Sequence, residues 1–356
     1  MQKIISGIQQ IGIGIPNVHD AWRWYRRNFG MDVPIFEEAA EANLMLPYTG
    51  GKPHQRHAIL ATNLQGGGGM EIWQYTSRTP QPPKQAPIAG DCGIFAARVK
   101  CLDVPAAYQK MEADKPAFLG PISRDPEGKQ HFFLSDPYGN IFQVIEEDAW
   151  FAKGRHLTGG MGGCMIGVSD VDKSQRLYTD ILGYDKVVYD KTGDFEDFSA
   201  LPGGRGTFRR ILLTHSQPRK GGFSRIFGPT YIELIQSKTR PGKKMFENRF
   251  WGDLGFIHLC FDVSGMDALR EECAQKGFPF TVDSARALGK VFDMGEAAGS
   301  FSYIEDPDGT LIEFVETHKV PIMKKWGWYL NMKKRNPEKP LPDWMLKALA
   351  FNRVKD

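Results

Sequence analysis

The chain has 356 residues, of which 41% are hydrophobic and 24% charged, and its formal net charge is +3. This composition is typical of a globular protein with enough core for two domains, and so small a net charge gives no reason to expect nucleic acid as a partner. The apolar runs have the length of strands, so we expect no membrane partner, no export signal and a cytoplasmic location. The five cysteines form no Cys-x-x-Cys pair, which predicts buried thiols in a reducing compartment.

The first part of the chain combines strand patterns with one helix pattern. The predicted elements are a strand at 8–15, a helix at 18–29, and strands at 33–36, 57–62 and 70–75. Gly30 ends the predicted helix. The four glycines 66–69 are predicted to form a hairpin loop, because a phosphate-binding loop would be followed by a helix and here a strand follows.

The same order of elements recurs three more times after a linker at 81–87. The second and fourth units each end in a hairpin around Asp136-Pro-Tyr-Gly139 or Asp306-Pro-Asp-Gly309, where Pro and Gly favour a tight turn. A polar residue, Gln143 or Glu313, follows at the same spacing from the turn. Glu313 lies between apolar neighbours on its strand, and a carboxylate in such a position needs a cation, a proton or a set of donors.

Four strand–helix–three-strand units that close in pairs on Asp-Pro-x-Gly hairpins resemble the vicinal oxygen chelate superfamily, which includes glyoxalase I, bleomycin-resistance proteins and extradiol ring-cleaving dioxygenases. The resemblance covers roughly residues 5–318. It implies an α+β fold in which four βαβββ modules are paired into two cup-shaped mixed β-sheets. We expect modules one and two to form an N-terminal domain (1–150) and modules three and four a C-terminal domain (158–318), with a basic, aromatic helical tail at 319–356.

In that superfamily a divalent metal is held by residues on the first and last strands of the units. In the C-terminal half, these places fall on Gly163, Glu233, His258 and Glu313. Three of the four can bind a metal. The resemblance therefore predicts a metal site here, with His258, Glu313 and Glu233 as ligands. Either glutamate can be the catalytic base, and we favour Glu313 as ligand and Glu233 as ligand or base.

In the N-terminal half, the same places fall on Gln10, Glu71, Ile94 and Gln143. Only Glu71 is a strong ligand, so this half is predicted to be degenerate. From the residues alone, a buried polar cluster without a metal is the alternative interpretation of both sets.

One imidazole and two carboxylates suit Fe, Mn, Zn or Ni and leave positions open for a bidentate substrate. The resemblance then indicates an enzyme, a lyase or isomerase that abstracts a proton from a hydroxy-ketone or 2-oxo acid with the help of the metal. An extradiol-type dioxygenase stays open, because Tyr303 stands where those enzymes have a catechol-binding tyrosine, although the first His of their triad would fall at Gly163. The third interpretation is a metal-free binding or sequestering protein.

Other candidate residues can have either a functional or a purely structural role. Arg209 and Arg210 can bind an anionic substrate or lie on a solvated face, and His215 can be a proton shuttle or a loop residue. Residues 342–351 are predicted to form an amphipathic helix whose aromatic side packs beside the cup mouth and gates it. The sequence leaves a homodimer open.

Overall fold

The computed structural model describes residues 2–288, 292–293, 298–323 and 328–354. The chain forms two curved mixed β-sheets from four consecutive modules. Each module is built on a strand, a helix and three strands, with short additional elements in modules three and four, and this confirms the predicted α+β fold with paired βαβββ modules. Among the described residues, no helix is both long and apolar enough to span a bilayer.

Modules one to three each begin with a long strand followed by a helix. Module one contains β1 (Ile4–Gly14), α1 (Val18–Phe29), β2 (Val33–Glu41), β3 (Gln55–Thr62) and β4 (Gly69–Tyr75). Module two contains β5 (Gly93–Cys101), α2 (Val104–Glu112), β6 (Ser123–Arg124), β7 (Gln130–Ser135) and β8 (Ile141–Glu146). Module three contains β9 (Thr158–Gly167), α3 (Val171–Arg176) with a π-helical turn (Leu177–Ile181), β10 (Lys186–Gly193), β11 (Phe208–Thr214), α4 (Ser224–Phe227) and β12 (Tyr231–Ser237).

Module four and the tail complete the chain. Module four contains β13 (Gly255–Ser264), α5 (Met266–Gln275), β14 (Val282–Asp283), α6 (Ser284–Leu288), β15 (Phe292–Asp293), β16 (Ala298–Glu305) and β17 (Leu311–Met323). The tail contains β18 (Trp328–Asn331), a 3-10 turn (Met332–Lys334), α7 (Asp343–Ala348) and a second 3-10 turn (Leu349–Asn352). Further 3-10 turns lie at Leu46–Tyr48 and Glu196–Phe198.

The sheets pair the modules differently from the expectation. The first sheet has the order β14-β16-β17-β13-β1-β4-β3-β2, and the second has the order β10-β11-β12-β9-β5-β8-β7-β6. At the centre of each sheet two modules meet through antiparallel strands, β1 with β13 and β5 with β9. Module one therefore pairs with module four, and module two with module three, so each sheet draws on both of the expected domains.

Connection length and strand edges explain this pairing. The segment between β8 and β9 is short, and sequential units joined by short connections tend to lie side by side. Once modules two and three share a sheet, β1 and β13 each keep an unpaired edge. An exposed edge leaves backbone donors and acceptors unsatisfied, and pairing β1 with β13 removes both edges at once.

The Asp-Pro-x-Gly turns join modules that belong to different sheets. Oδ1 of Asp136 accepts hydrogen bonds from two backbone N–H groups of its own turn, and Asp306 does the same. The second carboxylate oxygen accepts a tyrosine hydroxyl from the preceding module, Tyr25 at 2.6 Å for Asp136 and Tyr178 at 3.0 Å for Asp306. The first Asp of each motif thus shapes its turn and also ties two modules together.

The tail differs from the predicted helix in two ways. Its first part is a β-hairpin, because β17 continues to Met323 and pairs with β18, while residues 324–327 and 355–356 lie outside the described part. The short helix α7 turns its aliphatic side inward: Leu346 is buried, as is Leu341 just before the helix. Trp344 of α7 is 59% exposed, and Phe351 of the following turn is 90% exposed. The predicted helix is therefore present, but its aromatic residues do not pack on the body.

Candidate metal centre

Four polar side chains converge on the four central strands of the first sheet. Gln10 lies on β1, Glu71 on β4, His258 on β13 and Glu313 on β17, and all four are buried. The register aligns them, because Gly12 of β1 is opposite both His258 and Glu71. Gln10 and Glu313 are likewise both paired with one residue of β13, Cys260. Since side chains two residues apart on a strand share a face, the four groups point into one cup.

The donor atoms lie close together. Nε2 of His258 lies 3.2 Å from Oε2 of Glu71 and 3.2 Å from Oε2 of Glu313. Nε2 of Gln10 donates to Oε2 of Glu71 at 3.1 Å and lies 3.5 Å from Oε2 of Glu313. Ligand atoms of the histidine and the two glutamates all fall within 4.8 Å of one another, a spacing that one metal ion can bridge.

A glycine makes room for the histidine. A Cβ atom built on Gly12 would lie 2.5 Å from the imidazole of His258. No real side chain tolerates that distance, so the histidine ring lies across β1 only because residue 12 has no side chain.

Two buried carboxylates beside one imidazole stabilise a positive charge placed between them. Burial raises the pKa of Glu313, His258 opposes that rise, and the charge of Glu71 adds to it. Burial alone would lower the pKa of His258, but the charges of Glu313 and Glu71 outweigh it and raise this pKa above its ordinary value. The site therefore favours a positive charge between its carboxylates, either a proton on the imidazole or a metal ion.

Unpartnered atoms at the centre fit a metal ion. Although two carboxylate oxygens are near, Nε2 of His258 makes no hydrogen bond, and Oε1 of Gln10 has no partner. Exchanging the amide O and N of Gln10 would turn its oxygen toward both carboxylates, an arrangement that only a cation between them stabilises. Imidazole nitrogen, carboxylate and amide oxygens together are a donor set for a divalent metal.

Tyr303 supports two of these groups from β16. Its hydroxyl donates to Oε1 of Glu313 at 2.9 Å and lies 3.3 Å from Nδ1 of His258. Because the hydroxyl proton is used on Glu313, the tyrosine oxygen is free to accept Nδ1–H of the imidazole. That tautomer leaves the lone pair of Nε2 directed at the carboxylates, as a metal-binding histidine requires.

The structure does not bring Glu233 to this centre. Glu233 lies on β12 in the second sheet, where it accepts hydrogen bonds from Nε of Arg210 at 2.6 Å and from the hydroxyl of Tyr189 at 2.7 Å. Nη1 of Arg210 also binds both oxygens of Asp197 at 2.8 Å. Burial alone would lower the pKa of Arg210, but the nearby Glu233, Tyr189 and Asp197 raise it. In this second cup a guanidinium group compensates the carboxylates.

The register also corrects one assigned position. In the second sheet, Ala96 and not Ile94 occupies the place that His258 has in the first, because Ala96 pairs with Met165 as His258 pairs with Gly12. A β-bulge between Ile94 and Ala96 shifts the register. Gly163 occupies the place of Gln10, and a Cβ there would lie 1.8 Å from a backbone oxygen of β12. Neither position carries a ligand.

The remaining predicted residues are distant from the centre. Arg209 lies on the outside of the second sheet and forms ion pairs with Asp172 and Asp190. His215 follows β11 and lies 2.8 Å from the carbonyl oxygen of Gln217. Arg209, Arg210 and His215 therefore do not contact the cup of the first sheet.

Gln10 and Glu71 are the residues of the candidate centre that the expected pairing left out. The signal was present in the sequence, because the family positions of modules one and four all carry donors, whereas those of modules two and three include glycine and an aliphatic residue. Choosing the pairing that completes the donor set would have found the centre.

A cavity of about 350 Å³ opens directly onto the centre. Gln10, Glu71, Tyr303 and Glu313 are among its lining residues. A molecule in this cavity can therefore reach the carboxylates.

A second group of possible ligands lies on the surface. Nε2 of His57 is 3.1 Å and Nε2 of His19 is 3.6 Å from Oε1 of Glu37. These side chains are far more exposed than the buried centre, and the group serves below as a control for metal binding.

Comparison with known proteins agrees with this architecture. The family model described as the Glyoxalase/Bleomycin resistance protein/Dioxygenase superfamily matches residues 7–144 and 160–314. No curated protein sequence matches the chain.

Solved structures show the same fold at low sequence identity. A candidate dioxygenase from Bacillus subtilis is 12% identical with a TM-score of 0.55, over 99% of this chain and 97% of that one. A variant of glyoxalase I from Zea mays is 14% identical with a TM-score of 0.53, over 88% and 92% of the two chains. Because the family model covers most of the sequence in two repeats, we conclude that the chain belongs to the Glyoxalase/Bleomycin resistance protein/Dioxygenase superfamily.

Proposed function

We propose that the protein is a metal-dependent enzyme of the vicinal oxygen chelate type that abstracts a proton from a small substrate with two neighbouring oxygens, as a lyase or isomerase. The observation that carries the proposal is the unpartnered Nε2 of His258 between two buried carboxylates. Gln10, Glu71, His258 and Glu313 would hold one divalent ion, Fe, Mn, Zn or Ni. Such an ion supplies Lewis acidity toward two neighbouring oxygens of a hydroxy-ketone or 2-oxo acid.

The two carboxylates differ in how firmly they are held. Glu313 accepts a hydrogen bond from Tyr303, and that contact fixes its orientation. Both carboxylates line the cavity and lie near the amide of Gln10, but the tyrosine hydroxyl binds Glu313 and not Glu71. We therefore assign Glu313 as a fixed ligand and Glu71 as the group that takes the substrate proton, the role that the sequence gave to Glu233.

The donor set favours this chemistry over ring cleavage. Fe(II) oxygenases of the facial-triad kind use two histidines and one carboxylate. Here one histidine stands with two carboxylates and an amide, and the place of a second histidine on β1 is Gln10. Tyr303 beside the centre supports the extradiol-type reading, which the assay below separates from proton abstraction.

Elemental analysis of the purified protein tests the metal centre. We expect close to one metal ion per chain, lost in His258→Ala and retained in His57→Ala, which alters the surface group instead. The metal-loaded protein is then given hydroxy-ketones and 2-oxo acids in D₂O, and deuterium incorporation next to the carbonyl is followed by NMR beside oxygen uptake with catechols. Oxygen uptake without deuterium incorporation would establish the dioxygenase alternative, and no metal after incubation with Fe(II), Mn, Zn or Ni would leave a metal-free binding protein.

A further inference from the structure

The cavity above the candidate metal centre has an apolar character away from its floor. Its walls include Phe36, Leu44, Trp73, Trp251 and Phe301. Removing apolar surface from water is the main source of affinity in such a site, while a few polar groups fix orientation. Apolar side chains make up most of the cavity wall, and the carboxylates of the centre are among its polar groups.

A roof closes the cavity from outside the first sheet. The roof consists of five apolar residues that line the cavity: Phe223 just before α4, Ile226 and Phe227 of α4, Leu346 of α7, and Leu349 of the turn that follows α7. Helix α4 belongs to module three. Module three otherwise forms part of the second sheet, so the cavity of one sheet is completed by an insertion from the other.

The two parts of the roof are joined to each other and to the body. The backbone N–H of Leu341 donates to the carbonyl of Gly222 at 2.8 Å, and Arg225 forms an ion pair of 3.0 Å with Asp343. The backbone N–H of Gly67 donates to the carbonyl of Ile226 at 2.8 Å. The roof is therefore a defined part of the cavity wall, held together by its own contacts.

The basic residues among the described lining residues already have partners. Nη2 of Arg56 lies 2.6 Å from Oε2 of Glu38. Nζ of Lys319 lies 3.8 Å from the ring centre of Tyr329. Glu41 also lines the cavity. An anionic body would therefore have to compete with Glu38 for Arg56 and would meet a further carboxylate, whereas an uncharged apolar body does neither.

We propose that the substrate carries an uncharged apolar body, of the size of one or two aromatic rings, attached to its pair of oxygens, and that the roof of Phe223, Ile226, Phe227, Leu346 and Leu349 binds that body. The inference rests on the proposed function, because the oxygens are placed at the metal centre. A cavity of about 350 Å³ lies at the small end of the range for drug-sized ligands and suits such a body.

Three hydroxamates that share one bidentate oxygen pair provide the probes: acetohydroxamate, benzohydroxamate and 2-naphthohydroxamate. Each is titrated by calorimetry into the metal-loaded full chain, and each affinity is corrected for the probe's affinity for the free metal ion. We expect benzohydroxamate to bind at least about tenfold more tightly than acetohydroxamate because its ring is removed from water.

Two roof variants and a matched control test whether the roof residues cause the tighter binding of the aromatic hydroxamates. Leu349→Ser and Phe223→Ser change half-buried roof residues, which limits the damage to folding, and each should reduce the aromatic gain severalfold while acetohydroxamate binding stays unchanged. Trp344→Ser alters an exposed residue one position after the start of α7 and should leave all three affinities unchanged. Circular dichroism verifies that each variant is folded.

The outcomes separate this inference from the proposed function. Metal-dependent binding of acetohydroxamate without an aromatic gain would overturn the apolar body and leave the metal centre intact. A gain that persists in both roof variants would overturn the role of the roof. Failure of every hydroxamate to bind in a metal-dependent way would overturn the proposed function itself.

Discussion

Nε2 of His258 lies 3.2 Å from a carboxylate oxygen of Glu71, although the two residues belong to the fourth and the first module. The contact exists because β13 and β1 are neighbours in one sheet. The candidate site is therefore a product of the closure of the chain on itself, and neither half of the chain contains it alone.

If Glu71 is the base, Glu71→Gln should lower kcat by about 10²- to 10⁴-fold even when the protein is saturated with metal, because the amide cannot accept the substrate proton. Metal affinity should fall as well, since a charged ligand is lost. Activity assays at increasing metal concentration separate the loss of kcat from the loss of metal affinity. Activity fully restored by excess metal would show that Glu71 is a ligand without a role as base.

Tyr303→Phe should move metal binding to higher pH. Burial raises the pKa of Glu313, and the hydrogen bond from Tyr303 holds part of that rise back. Without the hydroxyl, Glu313 keeps its proton to higher pH, and because metal binding requires the carboxylate, the pH of half-maximal binding rises. Metal-binding titrations over a series of pH values measure this midpoint.

The matched control is Tyr189→Phe, which removes the hydroxyl that donates to Glu233 in the second sheet. It should leave the metal-binding midpoint unchanged. An equal shift in both variants would mean that the change is indirect.

Gly12→Ala should weaken metal binding by roughly 10- to 100-fold, a range typical for the loss of ligand orientation. The added Cβ would meet the ring of His258 at 2.5 Å and displace it. Elemental analysis after dialysis against a weak chelator, with circular dichroism as the folding control, measures the effect. Unchanged metal content in a folded variant would contradict the packing of the ring over β1.

Arg210→Met should destabilise the fold by about 3–5 kcal/mol, because it removes the nearest cation from the buried carboxylates of Glu233 and Asp197. The guanidinium group of Arg98 then lies 3.7 Å from Glu233, farther than the 2.6 Å of Arg210. The neighbouring Arg209→Met removes only ion pairs at the surface and should cost about 1 kcal/mol or less. Denaturant unfolding of both variants compares them directly. Similar losses of unfolding free energy in the two variants would argue that Arg210 does not compensate the buried carboxylates of the second cup.

Asp262→Asn should stabilise the protein at high pH. Burial raises the pKa of Asp262 to about 7, above the value of a carboxyl in the unfolded chain, so the folded state holds the proton more tightly and loses stability as pH rises through this range. The variant lacks this loss, and its advantage should grow by roughly 2–3 kcal/mol between pH 5 and pH 8. Asp267→Asn, at an exposed side chain paired with Arg270, should show no such gain in thermal unfolding.

The sequence by itself determined the modules and two residues of the candidate centre. The two Asp-Pro-x-Gly motifs predicted the hairpins, since Pro and Gly restrict the backbone locally, and periodicity predicted helices such as α1. His258 and Glu313 were singled out as polar residues in apolar strands that also fall on ligand positions of the superfamily, and Tyr303 was singled out by the resemblance to extradiol dioxygenases. These features depend on residues close together in the chain and can be predicted without knowing the partner of any strand.

Tertiary structure decided which modules share a sheet, and with that the composition of the centre. Four similar modules can be paired in more than one way, and strand patterns alone do not choose between them because the inward faces are equally apolar. The pairing of β1 with β13 joined Gln10 and Glu71 to the centre and left Glu233 with Arg210. Whether a buried carboxylate faces a metal or a guanidinium depends on side chains from distant parts of the chain, and the fold alone brings these together.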